Sequence, residues 1–392
     1  MTNSPETLPS CLNVTAHVDH RFGGLTTSLP AFCDALESTG RYRSPLAAFC
    51  LPDEHAADAR TTIFPAGRLK WMTDGSLKQR LSGLVATSSA VHIHGIWQEH
   101  SGIAARFAQA AGKPYLVSVH GMLEPWARRA KRWKKDIYWS LFEKRNLEEA
   151  HCLRALTQAE AGHYRSAGLR CPIAVIPNGV DIPSETTTQS FFDLYPQLQG
   201  RKLVLFLGRL HRKKGIDILC ESFASICRQD PDGHLVLAGP DSEDTKPALE
   251  TQIRTLGIES RVTFCGMLRG NEKWAALRAA NVFVLPSHSE GFSVAVLEAM
   301  GAGTPVIVSH QCYFPEVESS ESGWVIDPEP HALSRALNEC LALSQAERQR
   351  IGSNGRRLAQ TRFSWDVVAK QTADVLDWVR GGSMPSTVQV IP

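Results

Sequence analysis

The chain has ten cysteines, yet no two stand in a C-x-x-C pair and no cysteine–histidine group has zinc-ligand spacing. Scattered thiols of this kind argue against a structural zinc module or a disulfide framework and fit reduced, buried side chains in a cytosolic protein. No uninterrupted apolar run reaches the roughly 18 residues a membrane-spanning helix needs. The opening MTNSPETLPSCLNV lacks the basic and apolar regions of a secretion signal, so a cytoplasmic location is expected. No G-x-G-x-x-G follows the first strand candidate, which argues against a dehydrogenase, and no G-x-x-x-x-G-K-[ST] is present, which excludes a P-loop nucleotide hydrolase. Charge of one sign is also lacking: 42 Lys and Arg against 40 Asp and Glu leave a net charge of +2, no basis for a nucleic-acid partner.

What is present fits a two-domain α/β protein. A length of 392 residues accommodates two domains of ordinary size, about 100–200 residues each. Short apolar runs alternate with amphipathic stretches. Val91–His94, Tyr115–Val119 and Ala174–Ile176 read as buried strands in the first half. Leu203–Leu207, Leu235–Ala238, Val262–Phe264, Val282–Leu285 and Val306–Val308 do so in the second. Ile103–Ala111, Ile216–Cys227, Trp274–Ala279 and Val294–Met300 read as helices between them. Such alternation predicts parallel sheets covered on both faces. The polar segment Pro183–Gln199 has the composition of a linker. Domains are therefore expected at 1–185 and 186–363, with the helical pattern around 364–380 crossing back onto the first and 381–392, rich in Gly, Ser and Pro, a disordered tail.

Two segments of the second half carry chemistry. The run LVLFLG leads straight into GRLHRKKG, which puts Arg209 and Lys214 at the exit of a strand. Ligands of doubly wound sheets bind there, and two cations suit a diphosphate. By itself the segment reads equally well as a solvated basic loop. In HSEGFSVAVLEAMGAGTPVIVS, Ser293 is a good N-cap for a helix that ends near Gly301. The amides of Gly291, Phe292 and Ser293 would then sit at the positive end of that helix, where phosphate binds well. Glu290 and Glu298 are placed to hydrogen-bond sugar or ribose hydroxyls, although Glu298 alone would pass for an exposed helix residue.

In the first half, Phe22-Gly23-Gly24 precedes a helix, and glycine there permits close approach of a phosphate or sugar. His94-Gly95-Ile96-Trp97 and Ser118-Val119-His120-Gly121 close two strands. Trp126, Ala130, Trp133, Ile137 and Leu141 share one helical face while Arg128, Arg129, Lys131, Arg132, Lys134 and Lys135 cover the rest. A basic amphipathic helix with tryptophans suits an anionic membrane surface; the alternative is an apolar face packed on the domain core.

Gly-Arg followed by Lys-Gly, then Glu-Gly-Phe-Ser and a second Glu after seven residues, resembles glycosyltransferase family 4, as do Ala238-Gly239-Pro240 and Asn178-Gly179-Val180-Asp181. The resemblance implies a GT-B fold, two facing Rossmann-like domains with the active site in the cleft between them. It implies a retaining hexosyltransferase acting from a UDP-, GDP- or ADP-sugar on a saccharide or lipid-linked saccharide, in bacterial cell-surface polysaccharide synthesis. Arg209 and Lys214 would bind the donor diphosphate and act in catalysis with His120 and Glu290. Glu298 would take the ribose, Glu290 the transferred sugar, the backbone at Phe264 and Gly266 the base, and Gly23 and Gly24 the diphosphate or acceptor. His94 and Trp97 either line the acceptor pocket or serve packing. No metal and no cofactor are called for. Alternatives of the same fold are an epimerase, a phosphorylase or a non-catalytic sugar-nucleotide-binding partner. Where many relatives have Gly-Gly before Pro-Glu, this chain has Tyr313-Phe314-Pro315-Glu316, so contacts there are expected to differ.

Overall fold

The computed structural model describes residues 8–18, 24–50, 59–66, 74–126, 132–183, 190–228, 230–241 and 243–392. The chain divides into two compact units, one of residues 1–179 with 365–392 and one of residues 180–364.

The first unit is built on β1 (Cys11–Thr15), β2 (Leu46–Cys50), β3 (Thr61–Pro65), β4 (Ala90–His94), β5 (Tyr115–Ser118), β6 (Cys152–Ala155) and β7 (Ile173–Val175). Their order is β7-β6-β5-β4-β1-β2-β3, all parallel. Side chains alternate between the two faces. Leu12, Val14, Val91, Ile93, Tyr115 and Val117 enter one core, under helices Gly75–Thr87 and Glu99–Ala110. Cys11, Leu46, Ala90, Leu116 and Cys152 enter the other. There helix Gly24–Ser38 packs against the C-terminal helix Trp365–Val379, through Phe32, Leu36, Val368 and Leu376 among others. Arg41 fixes the C-terminal helix by an ion pair of 2.7 Å to Asp374 and a second to Asp377, which also accepts from the Tyr42 hydroxyl.

The tail does not behave as its composition predicts. Gln389–Ile391 is a strand, antiparallel to β7, and Arg165 donates to the carbonyls of Ile391 (3.2 Å) and Pro392 (2.6 Å). Val390 and Ile391 are β-branched residues of the kind strands favour, and the edge of β7 supplies the unpaired backbone groups.

The second unit has β8 (Lys202–Leu207), β9 (Gly233–Ala238), β10 (Val262–Gly266), β11 (Val282–Leu285), β12 (Val306–Ser309) and β13 (Gly323–Ile326). They form one parallel sheet in the order β10-β9-β8-β11-β12-β13. Buried on both faces, β8, β9, β11 and β12 read as continuous apolar runs, as parallel strands do. The segment that reads as a linker is in part core. Ser190 and Asp193 form a capping box on helix Phe191–Leu194, and Phe191 and Leu198 are buried; residues 184–189 lie outside the described residues.

Candidate donor site and a histidine cluster

In the second unit the C-terminal ends of the parallel strands share one edge. Arg209 follows β8 and is exposed, and among the described residues no carboxylate pairs with it. His211 caps a short 3-10 turn, Arg212–Lys214, through its ring nitrogen to the Lys213 amide at 3.0 Å. Gly215 then turns the chain into helix Ile216–Cys227 with φ +67°, and a Cβ there would lie 2.1 Å from the Pro286 carbonyl oxygen. Only glycine brings this turn so close to the loop after β11.

That contact brings Lys214 to Glu290. Lys214 Nζ donates to Glu290 Oε1 at 2.5 Å, and the Ser287 hydroxyl donates to the same oxygen at 2.6 Å. Glu290 is buried, which pushes its carboxyl pKa up, but Lys214 and Ser287 outweigh burial and hold it below the ordinary value. Two residues on, helix Val294–Gly301 begins with Ser293 as N-cap, though the Ser293 side chain makes no capping bond. The helix start thus keeps its orphan amides, the group that favours an anion. Phe292 turns its ring onto Phe314 (5.6 Å) and Phe363 (6.4 Å), so its side chain belongs to the core and only its backbone borders the helix start. Phe314 is the buried centre of that aromatic group.

Glu298 is the second buried carboxylate and answers to a different cation. Lys273, on helix Gly270–Ala279, donates to Glu298 Oε1 at 2.5 Å. Here burial wins over Lys273 and the pKa is raised. The pair ties the helix after β10 to the helix after β11. At the end of β10, Gly266 accepts the Gly239 amide at 2.6 Å and Phe264 lies under Lys246, 5.2 Å from its ring. Nothing in the sequence near Glu298 announces Lys273. An Asp-x-Asp triple, Asp230-Pro231-Asp232, lies at the opposite, N-terminal end of β9, with Asp230 held by Lys202 at 2.7 Å.

In the first unit the alternation of β1, β4, β5 and β6 puts Asn13, His92, His94, Ser118 and Arg154 on one sheet face, beneath Phe32 of helix Gly24–Ser38. The Arg154 side chain is buried, pairs with no carboxylate among the described residues, and donates instead to the carbonyls of Ile176 (3.0 Å) and Pro177 and to Asn178 Oδ1 (3.3 Å). It thereby anchors the Asn178-Gly179 turn, where a Cβ on Gly179 would meet the Trp365 ring at 2.4 Å. His94 lies between Asn13 (3.0 Å) and His120 (3.3 Å), and His92 bonds the Ser118 hydroxyl at 2.8 Å. His120 has φ +56°, held by Glu160, which accepts the following Gly121 amide at 2.6 Å. Burial, then Arg154, lowers the His120 pKa to about 3. Trp97, also left-handed at φ +69°, donates its indole N–H to the Met122 carbonyl at 3.2 Å and lies tilted against Trp139, ring centroids 5.9 Å apart. His94 is thus part of a buried hydrogen-bond network. Gly24 opens its helix, and an added Cβ would meet nothing within 4 Å; Phe22 and Gly23 lie outside the described residues.

The basic segment continues as helix Arg132–Tyr138, a π-helical turn Trp139–Glu143 and helix Lys144–Glu148. Trp133, Ile137, Leu141 and Phe142 are 66%, 54%, 63% and 50% exposed, so this apolar face is not packed on the core. The wider π turn, a feature common at functional sites, points Trp139 inward and Phe142 outward. Residues 127–131, with Arg128, Arg129, Ala130 and Lys131, lie outside the described residues.

Two domain models match the chain in succession: "Glycosyl transferase 4-like domain" over residues 30–179 and "Glycosyl transferases group 1" over residues 192–358. An uncharacterized glycosyltransferase of Methanocaldococcus jannaschii is 34% identical over 176 residues, 44% of either chain. The phosphatidyl-myo-inositol mannosyltransferase of Mycobacterium tuberculosis is 33% identical over 228 residues, 56% of this chain and 58% of that one. The chain thus spans about half the length of the curated relatives it matches. Among solved structures, Anabaena Alr3699/HepE in complex with UDP and glucose superposes with a TM-score of 0.74 at 22% identity, covering 94% of this chain and all of that one. The fold is that of GT-B proteins, and both domain matches are to glycosyltransferase domains. The first half is similar to the 4-like domain of such enzymes and the second half to their group 1 domain.

Proposed function

We propose that this chain is a retaining, metal-independent hexosyltransferase that moves a sugar from a nucleotide-diphosphate sugar to a saccharide or lipid-linked saccharide, in bacterial cell-surface polysaccharide assembly. The observation that carries the reading is the cluster at the C-terminal edge of the second sheet. Arg209 without a carboxylate partner among the described residues, Lys214 on Glu290, and the helix start after Ser293 that the Ser293 side chain leaves uncapped are groups that suit a diphosphate. As the glycosidic bond breaks, negative charge builds on the departing diphosphate, and these fixed positive groups stabilise it without reorganisation. A phosphate arriving beside Lys214 frees Glu290 to accept hydroxyls of the transferred sugar. Glu298 accepts the ribose hydroxyls, with Lys273 beside it. His120 takes part as a neutral imidazole. A neighbour solved with UDP and glucose supports a nucleotide-sugar donor. The test is donor hydrolysis over UDP-, GDP- and ADP-sugars with EDTA present. Release from one donor is expected; no release, or release only after magnesium or manganese is restored, contradicts the reading.

A second part of the reading is peripheral attachment to an anionic membrane through residues 126–141. Its support is the exposed row Trp133, Ile137 and Leu141, flanked by Lys134 and Lys135, which leaves apolar surface in water that a lipid interface would cover. A relative named for phosphatidyl-myo-inositol supports a lipid-borne acceptor. Among the described residues no helix is long and apolar enough to cross a membrane.

A further inference from the structure

Asn13 and His94 occupy the sheet face beside His120, and hydrogen-bond chemistry fixes every proton in that row. The Asn13 side-chain amide donates its NH2 to the Cys11 carbonyl at 3.2 Å and to the Ser44 hydroxyl at 2.9 Å. A carbonyl only accepts, so the amide cannot be turned the other way, and Asn13 Oδ1 faces His94 Nε2 at 3.0 Å. An amide oxygen also only accepts, so His94 carries its proton on Nε2. His94 is fully buried, beside His92 (ring centroids 4.0 Å), His120, His100 and Arg154, with no carboxylate among the groups that bond it, so it stays neutral. Its Nδ1 is then a bare lone pair facing His120 Nε2 at 3.3 Å. Only a proton on His120 Nε2 satisfies that contact, which leaves His120 Nδ1 as the acceptor. Among the described residues no group bonds that Nδ1.

We infer that Asn13 and His94 are positioning residues that lock His120 in its Nε2–H form, so that His120 offers Nδ1 to accept a hydrogen bond from a sugar hydroxyl. The inference rests on the glycosyltransferase reading only for the ligand; the proton arrangement stands on the geometry. Glu160 completes the device by holding the left-handed turn at His120 through the Gly121 and Leu156 amides, each at 2.6 Å. A second-row group that sets the tautomer of a reacting imidazole is a recurrent way to fix its role.

The test is imidazole nitrogen NMR on the intact protein at pH 7, with the His120 signals assigned by their loss in His120→Ala. Wild type is expected to show a protonated Nε2 and a bare Nδ1 at His120. In Asn13→Asp the new carboxylate holds His94 as an imidazolium, whose Nδ1–H now donates to His120, and His120 is expected to switch to the Nδ1–H form. Transfer should then fall about tenfold, the value of one hydrogen bond, with little change in the KM for donor. A wild-type His120 protonated on Nδ1, which needs no variant to detect, overturns the inference, as does an unchanged tautomer in a folded Asn13→Asp protein. If the tautomers behave as stated but His120→Ala transfers at the wild-type rate, the proton arrangement stands and the sugar-binding role of His120 falls.

Discussion

Lys214 Nζ donates to Glu290 Oε1 across 2.5 Å, joining the loop after β8 to the loop after β11 in a pair whose carboxylate is buried. The pair supports the fold as well as the proposed site. Lys214→Met leaves Glu290 with the Ser287 hydroxyl alone, and breaking a buried pair from one side costs about 3 kcal/mol. In wild type the Glu290 pKa is depressed, so its contribution is present above the ordinary carboxylate value of 4.5 and fades as pH falls through the folded value. In the variant, burial is opposed only by Ser287 and Lys213, so the pKa rises relative to wild type. Denaturant unfolding should therefore show a deficit at pH 7 that shrinks toward pH 4. A deficit independent of pH would mean the pair contributes only packing.

The buried histidines of the first unit should make it sensitive to acid. His92 and His94 are held well below the usual 6.5, His100 at about 4 and His120 at about 3, burial being the first cause in each. The folded form therefore binds fewer protons than the unfolded one below pH 6.5. Stability is full above that value and is lost as pH falls below it, with each such histidine contributing a slope of about 1.4 kcal/mol per pH unit. Thermal melting between pH 7.5 and 5 checks this, and His92→Phe should flatten the curve. An unchanged curve in that variant would contradict the assignment.

Much of this architecture is legible in the sequence because the strands of a doubly wound sheet are continuous apolar runs. Val282–Leu285 and Ile216–Cys227 coincide with their sequence readings, and the Glu290 helix starts at its expected cap. Strands with a polar job are harder to see. In β6 the apolar pattern is broken by Arg154, whose burial is repaid by carbonyls that come 22 and 23 residues later. The strand Gln389–Ile391 depends on an edge that only the folded sheet provides. The partners missed at the sites, Lys273 for Glu298 and Asn13 for His94, stand 25 and 81 residues away. Their roles come from strand order and helix packing, which no local spacing encodes.

The exposed apolar row gives a prediction about location. Liposomes containing anionic lipid should sediment the protein at low salt and release it at high salt, since each cation near such a surface contributes about 1 kcal/mol. Replacing Trp133, Ile137 and Leu141 together with Ser should abolish binding with little change in unfolding midpoint, because all three are exposed. Binding that survives this change would move the attachment elsewhere, and no binding by wild type would leave a soluble acceptor as the better reading.

The central claim is that the C-terminal edge of the second sheet holds a nucleotide diphosphate. Isothermal titration of UDP, GDP and ADP into wild type, Arg209→Ala, Lys214→Ala and the double variant, in EDTA, tests it most directly. One nucleotide should bind wild type, and each single variant should weaken it by roughly 10–150-fold, the range for a hydrogen bond to a charged group. Because both cations act on one ligand, the double variant should lose less than the sum of the two free-energy changes. Wild-type affinity in both single variants, or no binding of any of the three nucleotides, would contradict the account.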